Sequence, residues 1–167
     1  TLLQMATGLR VSEARTLMWD DIITDDQNRP ACIIRAENAK TGTTRVAALV
    51  EPAVYEHLIR RRDEVGGAYV VGAPLNPDTE WDRYNAQKAL KAFYKDLARD
   101  CGVPLLETYR THVWRTTLNT MYRTDVDALL RARTLGHSVD VNAQAYSDLS
   151  DLTTLYEAAR ARRREEK

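Results

Sequence analysis

The sequence predicts a mainly α-helical protein with a small antiparallel β-sheet near its beginning, which is an α+β class. Most apolar residues recur at helical spacing, three short β-like runs lie together between positions 22 and 50, and turn-forming residues separate the segments. A domain of ~150 residues hides about 68–70% of the surface that its unfolded chain exposes, so 167 residues are enough for one buried core. We therefore expect one domain over residues 1–167.

The first elements are two short helices. The apolar stretch L-L-Q-M-A predicts a helix that stops at Gly8. Ser12 followed by Glu13 predicts the N-cap of a second helix, A-R-T-L-M-W. Arg10 is therefore expected in the turn between the two helices.

The sheet and the later helices follow in order. Runs at 22–24, 31–35 and 44–50, separated by turn formers, predict the antiparallel sheet. Pro52 suits the first turn of a helix that Gly66 and Gly67 end. A short extended run, Y-V-V, and a loop with two prolines come next. Further helices are predicted at 79–100, 111–122, 125–134, 139–145 and 151–164.

Composition sets limits on the class of protein. Charged residues are 29% and hydrophobic residues 44% of the chain, which is typical of a soluble globular protein. No segment approaches the roughly 20 apolar residues of a membrane span, and the first residues lack the basic region of a signal peptide. We therefore expect a cytoplasmic protein. Cys32 and Cys101 lie far apart without metal-ligand spacing, and we expect both to be buried and reduced.

The net charge of zero argues against indiscriminate binding of nucleic acid, which usually goes with an excess of Lys and Arg. Acidic residues collect at 20–26 and 148–151, and basic residues at 59–62 and 160–164. A polarised surface is compatible with these runs, but each is more simply a solvated helix face or tail.

The residues with the clearest chemistry are two arginines, two histidines and a tyrosine. They are Arg10 in T-G-L-R-V-S-E, His112 and Arg115 in H-V-W-R, His137 in L-G-H-S, and Tyr146 nine positions later. The planar fork of arginine matches two phosphate oxygens, and imidazole titrates near pH 6.5. A tyrosine hydroxyl beside such donors can attack a phosphodiester. The set therefore predicts a phosphate-binding site with a nucleophile.

These motifs occur in one order together with a K-T-G turn at 40–42 that Arg45 follows. In that order they resemble the catalytic domain of the tyrosine recombinases, the phage integrase family, from about residue 1 to about residue 155. The family commonly has H-x-L-R-H-T-F where this chain has H-V-W-R-T-T-L. Trp114 and Thr116 are thus departures, which we expect to affect packing more than chemistry.

The resemblance implies the tyrosine recombinase catalytic-domain fold and site-specific recombination of DNA, as by the integrase of a phage or mobile element. It implies that Tyr146 attacks the phosphorus to form a 3′-phosphotyrosyl link and a free 5′ hydroxyl, with no metal or other cofactor. Arg10 and Arg115 would contact the scissile phosphate. Among eight tyrosines, Tyr146 alone has the family's spacing from His137.

The resemblance also implies which groups move protons. Lys40, at the tip of a hairpin, occupies the place of the family's general acid. His112 and His137 are suited to proton transfer and to donating to phosphate oxygens. Glu13 either holds the Arg10 guanidinium from behind or complements the helix dipole. His57 matches no motif and is expected to be structural.

Partners follow from the same resemblance. They are a double-stranded DNA recombination site and other protomers in a synaptic tetramer, for a bacterial or phage-encoded protein associated with the nucleoid. The chain is expected to be N-terminally truncated, without the family's N-terminal DNA-clamping domain. The spacing of Leu152, Leu155 and Ala159 suggests a tail helix that packs on a neighbouring protomer.

Two alternatives remain open at this point. A type IB topoisomerase-like enzyme would use the same chemistry to relax supercoils, although T-G-L-R-V-S-E and L-G-H-S favour a recombinase. A catalytically silent DNA-binding remnant of a mobile element is the other alternative, against which the intact motif residues argue.

Overall fold

Two short helices open the chain in the computed structural model, which describes residues 1–122, 124–136, 156–157 and 159–161. Helix α1 spans Leu2–Thr7 and α2 spans Val11–Thr16. Gly8 ends α1 in the left-handed conformation, with φ 68°, as predicted. The predicted N-cap at Ser12 is wrong, because α2 begins at Val11 with Arg10 as its N-cap. The Glu13 carboxylate accepts a hydrogen bond from the Arg10 N–H at 2.7 Å and so moves the helix start.

The predicted antiparallel sheet is confirmed. A 3-10 helix at Trp19–Asp21 leads into strands β1, β2 and β3, which pair in sequence order. Their bounds are Ile22–Thr24, Pro30–Ile34 and Arg45–Ala48. In the antiparallel register Ile22 lies opposite Cys32, and Ile34 lies opposite Arg45.

The second half of the described chain is mostly helical. It contains α3, a β4–β5 hairpin, α4, α5, α6 and α7, with the bounds Pro52–Val65, Gly72–Ala73, Asn76–Glu80, Arg83–Cys101, Leu105–Tyr109, His112–Met121 and Ala128–Leu135. Helices α3, α4, α6 and α7 confirm four predicted helices to within a few residues at each end. The helix predicted at 139–145 lies outside the described residues, and of the one at 151–164 the structure describes helical backbone at 156–157 and 159–161.

Two predictions in this half are wrong. The loop with Pro74 and Pro77 expected before α4 forms the β4–β5 hairpin, and α4 starts at Arg83 instead of 79. The start is fixed because the Asp82 side chain accepts a hydrogen bond from the Asn85 N–H at 2.9 Å. Helix α5 was not predicted, since five residues are too few to show a helical period.

The sheet is buried on both faces, which places it between two groups of helices. Alternate residues of β2 and β3 point to opposite faces, as the pleat requires. Cys32, Ile34 and Ala47 pack with apolar residues of α1, α2 and α3. Ala31 and Ala48 pack on the other side with residues of α6 and α7.

Helix α6 connects two of the hydrophobic clusters. Its Leu118 packs against the sheet, while Val113 and Trp114 pack with Tyr94 and Leu106 of α4 and α5. The Trp114 indole N–H donates to the Tyr94 hydroxyl at 2.5 Å. Trp114, one of the departures from the family pattern, is therefore a packing residue.

The two cysteines differ in exposure. Cys32 is fully buried in the sheet, and burial raises the pKa of its thiol to about 12. Cys101 is exposed at the end of α4, so the expectation that both are buried is wrong for this one. Both are free thiols. Within the part of the chain that the structure describes, no helix is long and apolar enough to cross a membrane.

Candidate active site

Arg10 lies in the turn between α1 and α2, and this turn is fixed by its neighbours. The Gln4 side chain donates to the Leu9 carbonyl at 3.0 Å, and the Thr7 hydroxyl accepts from the Leu9 N–H at 3.3 Å. Leu9 itself is 1% exposed. The backbone before Arg10 is thus anchored in the core, while its side chain retains 25% exposure.

Arg115 reaches the same turn from α6. Its Nη1 donates to the Gly8 carbonyl at 2.9 Å, and the residue is 2% exposed. Gly8 also lets Leu135 of α7 and Leu118 of α6 pack against this turn, because a Cβ built there would lie 2.5 Å from Leu135 and 3.4 Å from Leu118. The T-G-L-R and H-V-W-R motifs, more than 100 residues apart in sequence, therefore meet at Gly8.

Glu13 joins two arginines. Its Oε1 accepts from Arg10 Nη1 at 3.0 Å, and its Oε2 accepts from Arg45 Nη2 at 2.8 Å. The same Oε2 accepts from the Arg10 backbone N–H. Glu13 contacts the guanidinium and caps the helix at once, so the two roles considered for it are compatible.

Arg45 was not predicted as a site residue. It is the first residue of β3, and its side chain is 5% exposed. Besides its ion pair with Glu13, its Nη1 donates to the Thr134 carbonyl in the last turn of α7. The available sequence signal was a charged residue at the start of the apolar run V-A-A-L-V, three positions after the K-T-G turn.

The end of α7 is held by the same arginines. Arg10 Nη2 donates to the Gly136 carbonyl at 2.8 Å. Gly136 ends α7 with φ 62°, and a Cβ on it would clash with the Arg45 side chain. His137 follows directly in sequence, so the L-G-H-S motif begins at the arginine cluster.

Positive charge dominates this region of the described structure, where three guanidinium groups surround one carboxylate. Burial, followed by the like charges of Arg10 and Arg45, lowers the pKa of Arg115 to about 10. Burial alone would raise the pKa of Glu13, but the charge of Arg45 and the hydrogen bond from the Arg10 backbone bring it below its ordinary value. Three guanidinium groups beside one carboxylate leave an excess of positive charge, an arrangement that favours a bound anion.

The other predicted site residues are either exposed away from these contacts or outside the described residues. Lys40 is exposed in the turn between β2 and β3 and makes no hydrogen bond or ion pair with the described residues. His112 is exposed on the first turn of α6, one turn before Arg115. His137 and Tyr146 lie outside the described residues. The structure therefore brings together Arg10, Arg115 and Glu13, and adds Arg45.

The other tyrosines of the described chain differ in exposure, and several are buried or hydrogen-bonded. Tyr94 and Tyr122 are buried, at 0% and 7% exposure. The Tyr156 hydroxyl lies 2.6 Å from the Pro30 carbonyl oxygen and 2.8 Å from that of Leu49. Tyr84 and Tyr109 are exposed. His57, exposed on α3, belongs to no described contact of the site.

An open groove of about 430 Å³ runs between α2 and α4. It is lined by Val11, Ser12, Arg15, Arg83 and Gln87. Its α2 side begins at the residue after Arg10. Arg15 in the groove pairs with Glu80 at 2.6 Å, whereas Arg83 is exposed. Within the described residues, no group of three or more His, Cys, Asp or Glu is placed to hold a metal ion.

Comparison with protein families gives one finding. The sequence model described as "Phage integrase family" matches residues 1–152. Comparisons with curated proteins and with solved structures gave no match. The matched range covers most of the chain, including every motif named above.

Proposed function

Because the chain belongs to the phage integrase family, the tyrosine recombinases, we propose that it cuts and rejoins DNA at a specific site through a covalent link to Tyr146. Site-specific DNA recombination is the general function that membership implies. The covalent mechanism, the residues that carry it and an origin in a phage or mobile element are the proposal.

The observation that carries the proposal is the meeting of Arg10 and Arg115. Arg115 donates to the Gly8 carbonyl, two residues before Arg10, and Arg10 donates to the Gly136 carbonyl, one residue before His137. Three motifs from opposite ends of the chain thus converge on one basic cluster. The non-bridging oxygens of a phosphodiester match the geometry of arginine forks.

The electrostatics fit the reaction. A tyrosine has an ordinary pKa near 10, so its phenolate costs roughly 4 kcal/mol to form at pH 7 unless positive charge stabilises it. Arg10 and Arg115 would stabilise both this charge and the charge that develops on the non-bridging oxygens. Losing one such preorganised donor typically costs about 10²–10³ in rate.

The proposed step is balanced within the protein and the DNA. The Tyr146 phenolic oxygen forms a bond to phosphorus, and the bond from phosphorus to the 5′ oxygen breaks. We assign to Lys40 the proton that the 5′ oxygen takes up, and to His112 and His137 proton transfer and hydrogen bonds to phosphate oxygens. Reversal of the step with a different 5′ hydroxyl rejoins the strands, so no external energy source is needed.

The partners of the proposed reaction are double-stranded DNA and further protomers. The exposed Arg83 in the groove supports contact with a polyanion that extends beyond the scissile phosphate. Assembly as a tetramer and action on nucleoid DNA in the cytoplasm are part of the proposal. Tyr156 and Ala159, which lie in the described part of the predicted tail helix, pack on the sheet of their own chain.

A covalent trap tests the proposal. The chain is incubated with a pool of nicked duplexes of random sequence, in which cleavage next to the nick releases a short 5′-hydroxyl fragment and prevents religation. Wild type should leave a denaturation-resistant protein–DNA adduct, and Tyr146→Phe should leave none. Tyr84→Phe is the matched control, because Tyr84 is an exposed tyrosine outside the matched motif and should still form the adduct.

Three outcomes would count against the proposal. An adduct that persists in Tyr146→Phe would remove the nucleophile assignment. No adduct from wild type with any sequence of the pool would favour the silent remnant. Relaxation of supercoiled plasmids of arbitrary sequence, without strand exchange, would favour the topoisomerase alternative.

A further inference from the structure

We propose that Arg45 is a positioning residue for the reaction, which holds Arg10 in place through Glu13 and fixes the end of α7 that leads into His137. The inference rests on the proposed function. It assigns a role to a residue that would not itself touch the DNA.

The first contact runs through Glu13. One carboxylate oxygen, Oε2, accepts both from Arg45 Nη2 at 2.8 Å and from the Arg10 N–H at 2.7 Å. The other oxygen accepts from Arg10 Nη1 at 3.0 Å. With both oxygens engaged, the carboxylate plane is fixed, and the Arg10 fork is held from behind.

The second contact runs through α7. Arg45 Nη1 donates to the Thr134 carbonyl, and Arg10 Nη2 donates to the Gly136 carbonyl at 2.8 Å. These carbonyls lie at the C-terminal end of the helix, where the last turn leaves them without helical partners. The two arginines therefore set where the chain leaves α7 and enters L-G-H-S.

The contacts of Arg45 separate its role from that of Arg10. Arg45 Nη1 and Nη2 are held by the Thr134 carbonyl and by Glu13 Oε2, inside the protein. The Arg10 side chain keeps 25% exposure, so a phosphate can reach it from solvent. Arg45 thus acts through Glu13 and the helix.

Because the charge of Arg45 keeps Glu13 ionised, a positioning role for Arg45 should affect how the cleavage rate depends on pH. Arg10, Arg45 and Arg115 are the charged groups that face Glu13 among the described residues. Burial favours the protonated carboxyl, and the charge of Arg45 is the largest influence that opposes it. Without Arg45, Glu13 takes up a proton at higher pH and releases its hold on Arg10.

The test uses Arg45→Met with the nicked duplexes that wild type converts to adduct. The single-turnover cleavage rate at saturating DNA should fall about tenfold or more. This is the scale of the loss when a group that orients the direct ligands of a metal site is removed. The DNA concentration that gives half the maximal rate should change little. The acidic limb of the rate profile should move to higher pH.

Three further variants make the test specific. Arg35→Met breaks an ion pair of 2.7 Å with the buried Asp21 that involves neither Glu13 nor Arg10, and it should leave the pH profile unchanged. Arg45→Lys keeps a positive charge beside Glu13 and should cleave faster than Arg45→Met but more slowly than wild type. In Glu13→Gln with Arg45→Met, the combined loss should be smaller than the product of the single losses.

The outcomes separate the two proposals. No adduct from wild type overturns the proposed function, and the role of Arg45 with it. If wild type forms the adduct and Arg45→Met cleaves at the same rate with the same pH profile, the role of Arg45 alone is overturned. If Arg45→Met fails to fold, a folded Arg45→Lys with the wild-type rate overturns it as well.

Discussion

Glu13 shows at the residue scale how one carboxylate can organise a basic site. Its side chain is fully buried, and it binds two guanidinium groups and one backbone N–H. Breaking a buried ion pair by removing one partner usually destabilises strongly, because the other charge stays buried. The site therefore depends on Glu13 for stability as well as for geometry.

Glu13→Gln should lower the free energy of unfolding at pH 7 by about 3–5 kcal/mol. Since the folded pKa of Glu13 lies below its ordinary value of ~4.3, its contribution is fully present above that value and is lost as pH falls through the folded pKa. Urea unfolding from pH 7 downwards measures this dependence. Part of the acid-induced loss seen in wild type should be missing in the variant.

The control is Glu37→Gln, which removes an exposed carboxylate between β2 and β3. It should change the free energy of unfolding by no more than about 0.5 kcal/mol. Identical pH dependence in wild type and Glu13→Gln would contradict the account of this ion pair.

At the residue scale, the structure shows where two of the predicted site residues lie, and their roles in the reaction stay predictions. Arg10 and Arg115 stood out because their motifs are specific, and the structure places them at one turn. Arg45 was missed as a site residue because its burial depends on α7, which is 89 residues away at the shared hydrogen bond. No local pattern reports such a contact.

At the scale of elements, the end of α7 links helix geometry to the site. Gly136 has φ 62° and lies against Arg45, while Gly102 ends α4 with φ 65° and has open space around it. At both positions the left-handed backbone conformation is less favourable for a residue with a Cβ, by roughly 1–2 kcal/mol. At Gly136, a Cβ would in addition clash with the Arg45 side chain.

Gly136→Ala should therefore destabilise the protein more than Gly102→Ala, and it should also slow DNA cleavage. Gly102→Ala should show the backbone cost alone. Thermal and urea unfolding of both variants measure the difference. Equal losses of stability, with cleavage unaffected in both, would contradict the placement of Arg45 against the end of α7.

The elements that agree best with the sequence prediction are those with clear caps, turns and alternation of apolar residues. The helix at Pro52 and the three-stranded sheet carry clear caps, turns and alternation, and both were predicted. The β4–β5 hairpin contains Pro77 and mostly polar residues, so its sequence resembles a loop. The turn from α5 to α6 depends on Arg110 at φ 45°, a conformation that a non-glycine residue rarely adopts.

At the scale of the whole molecule, the site exists because helices pack on both faces of one sheet. Helix α1 and the turn with Arg10 lie on one side, and α6 and α7 bring Arg115 and the start of L-G-H-S from the other. Sequence order alone could indicate the family and the fold class. It could not give the distances between residues from distant segments, which arise from packing.

In the proposed reaction, the basic cluster of Arg10, Arg115, Glu13 and Arg45 serves a tyrosine nucleophile on DNA. Mass spectrometry of the nuclease-digested adduct tests it most directly, because it identifies both the modified residue and the DNA end. We predict a nucleotide joined through its 3′ phosphate to Tyr146, with a 5′ hydroxyl on the released strand. A nucleotide on Tyr84 or Tyr109, or a link through a 5′ phosphate, would contradict the account.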